Sequence, residues 1–247
     1  MIRLVKKSRI KNNMDFITVT VSTVFSSFVS FLYTIFARRF IPPYEYGIYS
    51  TCLLLQTYVA YVQCGVHNAY NRDYPQIIGT GNIDKAIKLK NTAFTFVVGV
   101  YILSSIIIGV VLGIIFICDK LSSEYFLGYL IVLVVLILNT ISDFGMNTMR
   151  MNGGYNYTAL VTVIKTMVGC TVGLIFIYNF GYYGLFLLPV ISALVAISLY
   201  YKRVYKGIYF TIERNILRNS MITGLPLMIG SLIWTAVASV DKFVILG

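Results

Sequence analysis

The sequence predicts an all-α protein, a polytopic helical bundle that crosses a membrane about seven times with its N-terminus in the cytoplasm. Three observations carry this. Hydrophobic residues make up 58% of the 247 positions and charged residues only 12%, where a soluble domain has roughly 25% charged. The apolar residues fall into seven stretches of about the length that spans a bilayer. The charges sit between those stretches, and Lys and Arg exceed Asp and Glu by 20 to 9. Mean hydropathy is +0.80. These numbers exclude a disordered chain and argue against a soluble enzyme.

The predicted spans are 16–37, 47–67, 92–117, 125–144, 157–179, 183–201 and 222–246. Each is too long and too continuous for a barrel strand, which needs about 10 alternating residues. The first is longer than the apolar core of a signal peptide and runs directly into Arg38-Arg39, so it is expected to be retained. The cation bias orients them. Segments 1–15, 68–91, 145–156 and 202–221 hold 5, 4, 1 and 5 Lys or Arg, whereas 38–46, 118–124 and 180–182 hold 2, 1 and 0. The basic set belongs in the cytoplasm. The three outer connections are short, so spans 1–2, 3–4 and 5–6 are joined by tight turns. The run Asp84–Lys90 reads as a short amphipathic helix on the lipid surface, and 202–221 has the same look. The expected organisation is a six-helix bundle over 1–201, a basic connector over 202–221, and a seventh helix over 222–247 that opens a second bundle.

No catalytic constellation is present. The acids are scattered, no phosphate-cradling loop occurs, and no cofactor or metal site is expected, since Cys52, Cys64, Cys118 and Cys170 are far apart. No nucleic-acid motif accompanies the basic surplus. His67, the single histidine, falls at the inner end of span 2. Lys165 is the sharpest residue, about eight positions into span 5. A charge at that depth costs several kcal/mol unless it meets water or a partner. It either binds an anion inside a cavity or snorkels to the cytoplasmic interface. Arg38 and Arg39 stand on the outer side against the charge bias. They either line an outer cavity mouth and meet a phosphate or anchor the helix end. Asp241 and Lys242, near the outer end of span 7, are candidates for coupling or gating. Asp143 is placed at the inner interface.

Other features concern packing. Gly109-x-x-x-Gly113 and Gly169-x-x-x-Gly173 permit close helix approach. Pro189 and Gly224-Leu225-Pro226 are candidate kinks. Span 1 carries eight hydroxyls, among them Thr20, Ser22, Thr23, Ser26, Ser27 and Ser30, more than a lipid-facing helix needs. It should face other helices or a hydrated cavity.

Four stretches together carry a family likeness. Arg38-Arg39-Phe40-Ile41-Pro42-Pro43-Tyr44-Glu45-Tyr46-Gly47-Ile48-Tyr49-Ser50 resembles the "R-x-L-G-P-x-E-Y-G-x-Y-S" turn of polysaccharide exporters, with Phe40-Ile41-Pro42 in place of Leu-Gly-Pro. Arg150 through Tyr157 is similar to the "R-x-x-x-x-x-x-Y" entry into the fifth helix. Phe180-Gly181-Tyr182-Tyr183-Gly184 is similar to the "G-x-x-G" turn before the sixth. Gly224-Leu225-Pro226 with Ser239-Val240-Asp241-Lys242 resembles the seventh helix. The chain thus resembles the O-antigen and capsule repeat-unit flippases of the multidrug/oligosaccharidyl-lipid/polysaccharide (MOP) exporter superfamily, over essentially its whole length.

That resemblance implies a bacterial inner-membrane flippase, not an enzyme. Its cargo would be an undecaprenyl-pyrophosphate-linked oligosaccharide. Its partners would be the bilayer, a polysaccharide polymerase and a chain-length regulator. Lys165, Arg38 and Arg39 would meet the pyrophosphate. It also implies 12–14 helices in two bundles, so this chain reads as the N-terminal half. The alternatives are a drug exporter of the same superfamily, a membrane enzyme of polysaccharide assembly, and an inactive fragment.

Overall fold

In a computed structural model, the backbone is described over residues 2–239 and side chains over 14–239. Eight α-helices follow in order: α1 (Ile2–Phe40), α2 (Pro43–Val59), α3 (Val66–Gly79), α4 (Ile83–Ile117), α5 (Ser123–Met151), α6 (Tyr155–Phe180), α7 (Tyr183–Tyr201) and α8 (Arg214–Ala238), with a 3₁₀ turn at Tyr205–Gly207. No strand occurs among the described residues. Among the described residues, six segments are long and apolar enough to cross a membrane: Met14–Phe40, α4, α5, α6, α7 and α8. The chain is a multi-pass membrane protein.

Three local expectations change. The predicted second span, 47–67, ends at Val59, and α2 has 17 residues, about 26 Å at 1.5 Å per residue. From Tyr58 the chain passes through i→i+3 turns, with Tyr61 N–H donating to Tyr58 O and Val62 N–H to Val59 O, and α3 starts afresh after Cys64 and Gly65, whose φ values of 52° and 76° are left-handed. Residues 84–90 form no separate surface helix. They are the opening turns of the 35-residue α4, because no Gly or Pro separates them from the apolar run. Segment 202–221 is likewise not an amphipathic helix. It passes through the 3₁₀ turn and a non-helical stretch over 208–213, then enters α8 at Arg214.

The chain divides into two compact units, 1–56 with 107–207 and 57–106 with 208–247. In the first, α6 packs on both α1 and α7, and α7 on α5. Its core joins Tyr33, Ala37, Ile48, Cys52, Val132, Ile177, Leu185 and Phe186. Small residues set the spacing. Gly169 faces Ser192 of α7, and a Cβ on Gly173 would press against both Tyr33 and Leu188. The second glycine pair does not act this way: nothing lies within 4 Å of where Gly113 would carry a Cβ. The outer turn between α6 and α7 depends on glycine twice. Gly181 has φ 61°, and a Cβ on Gly184 would overlap the Ile177 backbone. A Cβ on Gly128 would lie 2.8 Å from Cys52 Sγ.

In the second unit α3 packs on α8. Gly65 and Gly224 meet backbone to backbone, leaving no room for a Cβ on either. The Gly224-Leu225-Pro226 motif thus marks a helix contact, and α8 continues through Pro226. Tyr58 shares a hydrogen bond with Ser239 at 2.6 Å, Tyr61 donates to Ser231 O at 3.1 Å, and Tyr101 donates to Ala60 O at 2.6 Å. Lys88 and Glu213 form an ion pair at 3.0 Å.

Candidate functional site

The first unit gathers charges at the inner ends of α5 and α6. Lys165 lies ten residues past Tyr155, the start of α6, or about 15 Å along the axis. Asp143 lies eight residues before Met151, the end of α5, or about 12 Å. The two therefore reach similar depth, and Asp143 feels the positive fields of both Lys165 and Arg150. Asp143 and Arg150 are seven residues apart, which sets them on one face of α5. Asp143 is exposed, while Lys165 and Arg150 are half-buried. A carboxylate at this depth is costly unless it meets water or a partner.

Aromatic groups frame the cluster. Tyr205, in the 3₁₀ turn, donates its hydroxyl to Ile141 O at 2.5 Å. Gly145 makes that possible, since a Cβ there would strike the Tyr205 hydroxyl. Burial pushes the Tyr205 phenol well above its ordinary value, with Tyr200 and Asp143 adding to the shift, so it remains a donor at neutral pH. Tyr157 donates to Leu199 O at 2.6 Å. The Arg203 guanidinium stacks 3.7 Å from the Tyr157 ring centre, a cation–π contact.

The remaining candidates lie elsewhere. Arg38 is exposed at the outer end of α1, 4.8 Å from the Tyr46 ring centre, and donates to the Tyr46 hydroxyl at 3.3 Å. The family turn between α1 and α2 is thereby stapled. Arg39 is exposed next to it. Phe40 meets Tyr178 edge to face, so this end of α1 lies beside α6 some 13 residues beyond Lys165. That is about 20 Å along the helix, and the structure does not bring Arg38 or Arg39 together with Lys165. Asp241 and Lys242 lie outside the described residues. His67 opens α3, its backbone N–H donating to Gln63 Oε1 at 2.7 Å. Arg150, named from sequence only as part of the turn motif, joins the charges near Asp143. Its signals were the seven-residue spacing from Asp143 and its place as the single cation of segment 145–156.

Span 1 behaves partly as expected. One face of α1 is buried through Ser22, Ser26, Tyr33 and Ala37. Thr20, Thr23, Ser27 and Ser30 are exposed on a second stripe at three- and four-residue spacing. Val21, Val24, Phe28, Phe31 and Ile35 form an exposed apolar sector.

A family model described as "Polysaccharide biosynthesis protein" matches residues 36–246. The chain belongs to this family. The polysaccharide biosynthesis chain also shares its fold with solved MOP-superfamily structures. One is a MOP superfamily transporter from Pyrococcus furiosus, at TM-score 0.64 and 17% identity, covering 88% of this chain and 52% of that one. A MATE transporter in the bent conformation matches at TM-score 0.62 and 16% identity, with 88% and 53% coverage. An outward-facing multidrug resistance MATE family transporter matches at 0.59 and 20%, with 88% and 52%. The chain thus spans about half the length of the solved transporters it resembles, and the N-terminal-half reading agrees with this. Among curated proteins, none matches the sequence.

Proposed function

We propose that the protein built on this half-transporter fold is a flippase. It moves an undecaprenyl-pyrophosphate-linked oligosaccharide, such as an O-antigen or capsule repeat unit, from the inner to the outer leaflet of a bacterial cell membrane. The observation that carries this reading is the polysaccharide family match over 36–246 on a MOP-type fold. The charge cluster supports it. A pyrophosphate crossing a low-dielectric slab loses its water, and a fixed ammonium offsets much of that loss. Lys165 sits at the depth where this matters. Arg38 and Arg39 serve the outer mouth, where the headgroup leaves, and Asp241 with Lys242 couples or gates the movement. A polymerase and a chain-length regulator then take the unit outside.

The test is substitution of Lys165 in the complete transporter, with surface polysaccharide measured at matched membrane abundance. Lys165→Ala is expected to lower surface polysaccharide at least about tenfold, the worth of one charge-assisted contact, with Lys165→Arg retaining most of it. Full activity of the alanine variant would sink the role of Lys165. The exposed Asp143 carboxylate favours one rival, export of an organic cation. Under that reading Asp143→Asn abolishes efflux of a cationic dye and leaves surface polysaccharide unchanged.

A further inference from the structure

A cleft of about 440 Å³ opens beside the α1–α6 contact at the end that the Lys/Arg bias places inside. It is lined by Asp15, Phe16 and Val19 of α1, Arg150 in the last turn of α5, and Tyr155, the first residue of α6. Its depth is defined by two helix ends and by the apolar run of α1. Asp15 directly precedes the apolar stretch 16–37, Arg150 is one residue from the end of α5, and Tyr155 begins α6. All three therefore lie at the level of lipid headgroups.

The chemistry of the lining has two signs. Arg150 presents a half-buried guanidinium, and no ion pair engages it among the described residues. The N-cap of α6 is Gly154, which offers no side-chain cap. The first N–H groups of this 26-residue helix therefore add donors and a partial positive charge beside Arg150. Asp15 supplies a carboxylate in the same cleft, and no ion pair links it to Arg150 among the described residues. A simple anion would satisfy Arg150 and be repelled by Asp15. A simple cation would do the reverse. A zwitterion with a phosphate and an ammonium satisfies both.

The walls distinguish a lipid from a soluble zwitterion. Phe16 is 72% exposed. The next residue on each helix, Ile17 and Asn156, opens a second groove of about 740 Å³ that continues along Val21, Phe25, Leu160 and Val163. An apolar tail fits there, while a soluble headgroup has no use for it.

We propose that this cleft binds the headgroup of a zwitterionic phospholipid bearing a primary ammonium, of the phosphatidylethanolamine type. Arg150 and the α6 N-terminus donate to the phosphodiester, and the ammonium donates to Asp15. The site shares Arg150 with the Asp143 side of α5 but lies about 10 Å along that helix from Asp143 and Lys165, and it does not depend on the flippase reading.

The test uses the purified complete transporter in detergent, stripped of lipid and then offered phosphatidylethanolamine, phosphatidylglycerol or phosphatidylcholine. Retained lipid is read by native mass spectrometry. Phosphatidylethanolamine is expected to be retained preferentially, and free phosphoethanolamine not to displace it. Arg150→Gln is expected to weaken retention about tenfold, with Arg150→Lys recovering part of it. Asp15→Asn is expected to exchange the preference, so that phosphatidylglycerol is held at least as well. A misfolded protein cannot produce that exchange of selectivity. Equal retention of the three lipids by the unaltered chain overturns the proposal, as does a phosphatidylglycerol preference before substitution. Displacement by free phosphoethanolamine overturns the assignment to a lipid.

Discussion

At the scale of single residues, the structure rests on a few contacts with no tolerance for size. Gly184 is the clearest, because its missing Cβ lets the α7 start lie against the Ile177 backbone. Gly184→Ala is expected to cost roughly 1–3 kcal/mol, the usual penalty for overpacking, and to lower the melting temperature of the purified protein. An unchanged melt would show that the α6–α7 turn is looser than described. Tyr205 allows a prediction with pH. Its phenol is raised in the folded chain by burial, so the folded state favours the protonated form. The stability this supplies is fully present below the ordinary tyrosine value near 10. It fades as pH rises through the higher folded-state value. Tyr205→Phe is expected to cost about 1 kcal/mol at neutral pH and to remove that part of the alkaline loss. Melts of both proteins across that range check the sign.

At the scale of elements, α1 has three kinds of surface: a face packed on α6, an exposed hydroxyl stripe and an exposed apolar sector. The apolar sector has the composition of a lipid-facing surface, and the hydroxyl stripe does not. A lysine on each separates them. Phe28→Lys places a charge toward lipid, at roughly 2.5–3.5 kcal/mol by insertion scales, and is expected to reduce membrane abundance. Ser27→Lys, one residue away, is expected to insert near normally. Equal abundance would mean that the two sectors meet the same surroundings. The break between α2 and α3 is a second lesson at this scale. Composition over 47–67 is apolar enough for one continuous helix, and Cys64-Gly65 carries no conventional stop signal strong enough to end it at Val59. The bend that follows is held by a tertiary contact: Gly65, in a left-handed conformation, meets Gly224, 159 positions away in sequence.

At the scale of the whole molecule, the cation bias predicts orientation. Cys118, free and exposed between α4 and α5, belongs outside, whereas Cys52 and Cys170 are buried. A membrane-impermeant maleimide is expected to label Cys118 in cells with an opened outer envelope and an intact cytoplasmic membrane. Labelling that appears only after that membrane is permeabilised would reverse the topology. The family match and the fold agree with the motif reading made at the outset. That agreement has a physical basis. The turn motifs are local, and their reasons are visible: Arg38 on Tyr46, φ 61° at Gly181, and the Ile177 backbone under Gly184.

By itself the sequence located most of the apolar helices and the family, and its charges predict an orientation, because each depends on local hydropathy, local turn chemistry or the sum of charges in a loop. Those quantities do not require knowing which helix lies beside which. Only the tertiary structure decided that Lys165 shares its depth with Asp143, and that Arg38 and Arg39 stand about 20 Å away along α6. The meeting of Asp15 with Arg150 and Tyr155 around one cleft is likewise tertiary. Neighbourhood across helices depends on which small residues let which backbones approach. Gly173 under Tyr33 and Leu188, or Gly145 under Tyr205, looks in sequence like any other glycine in an apolar run.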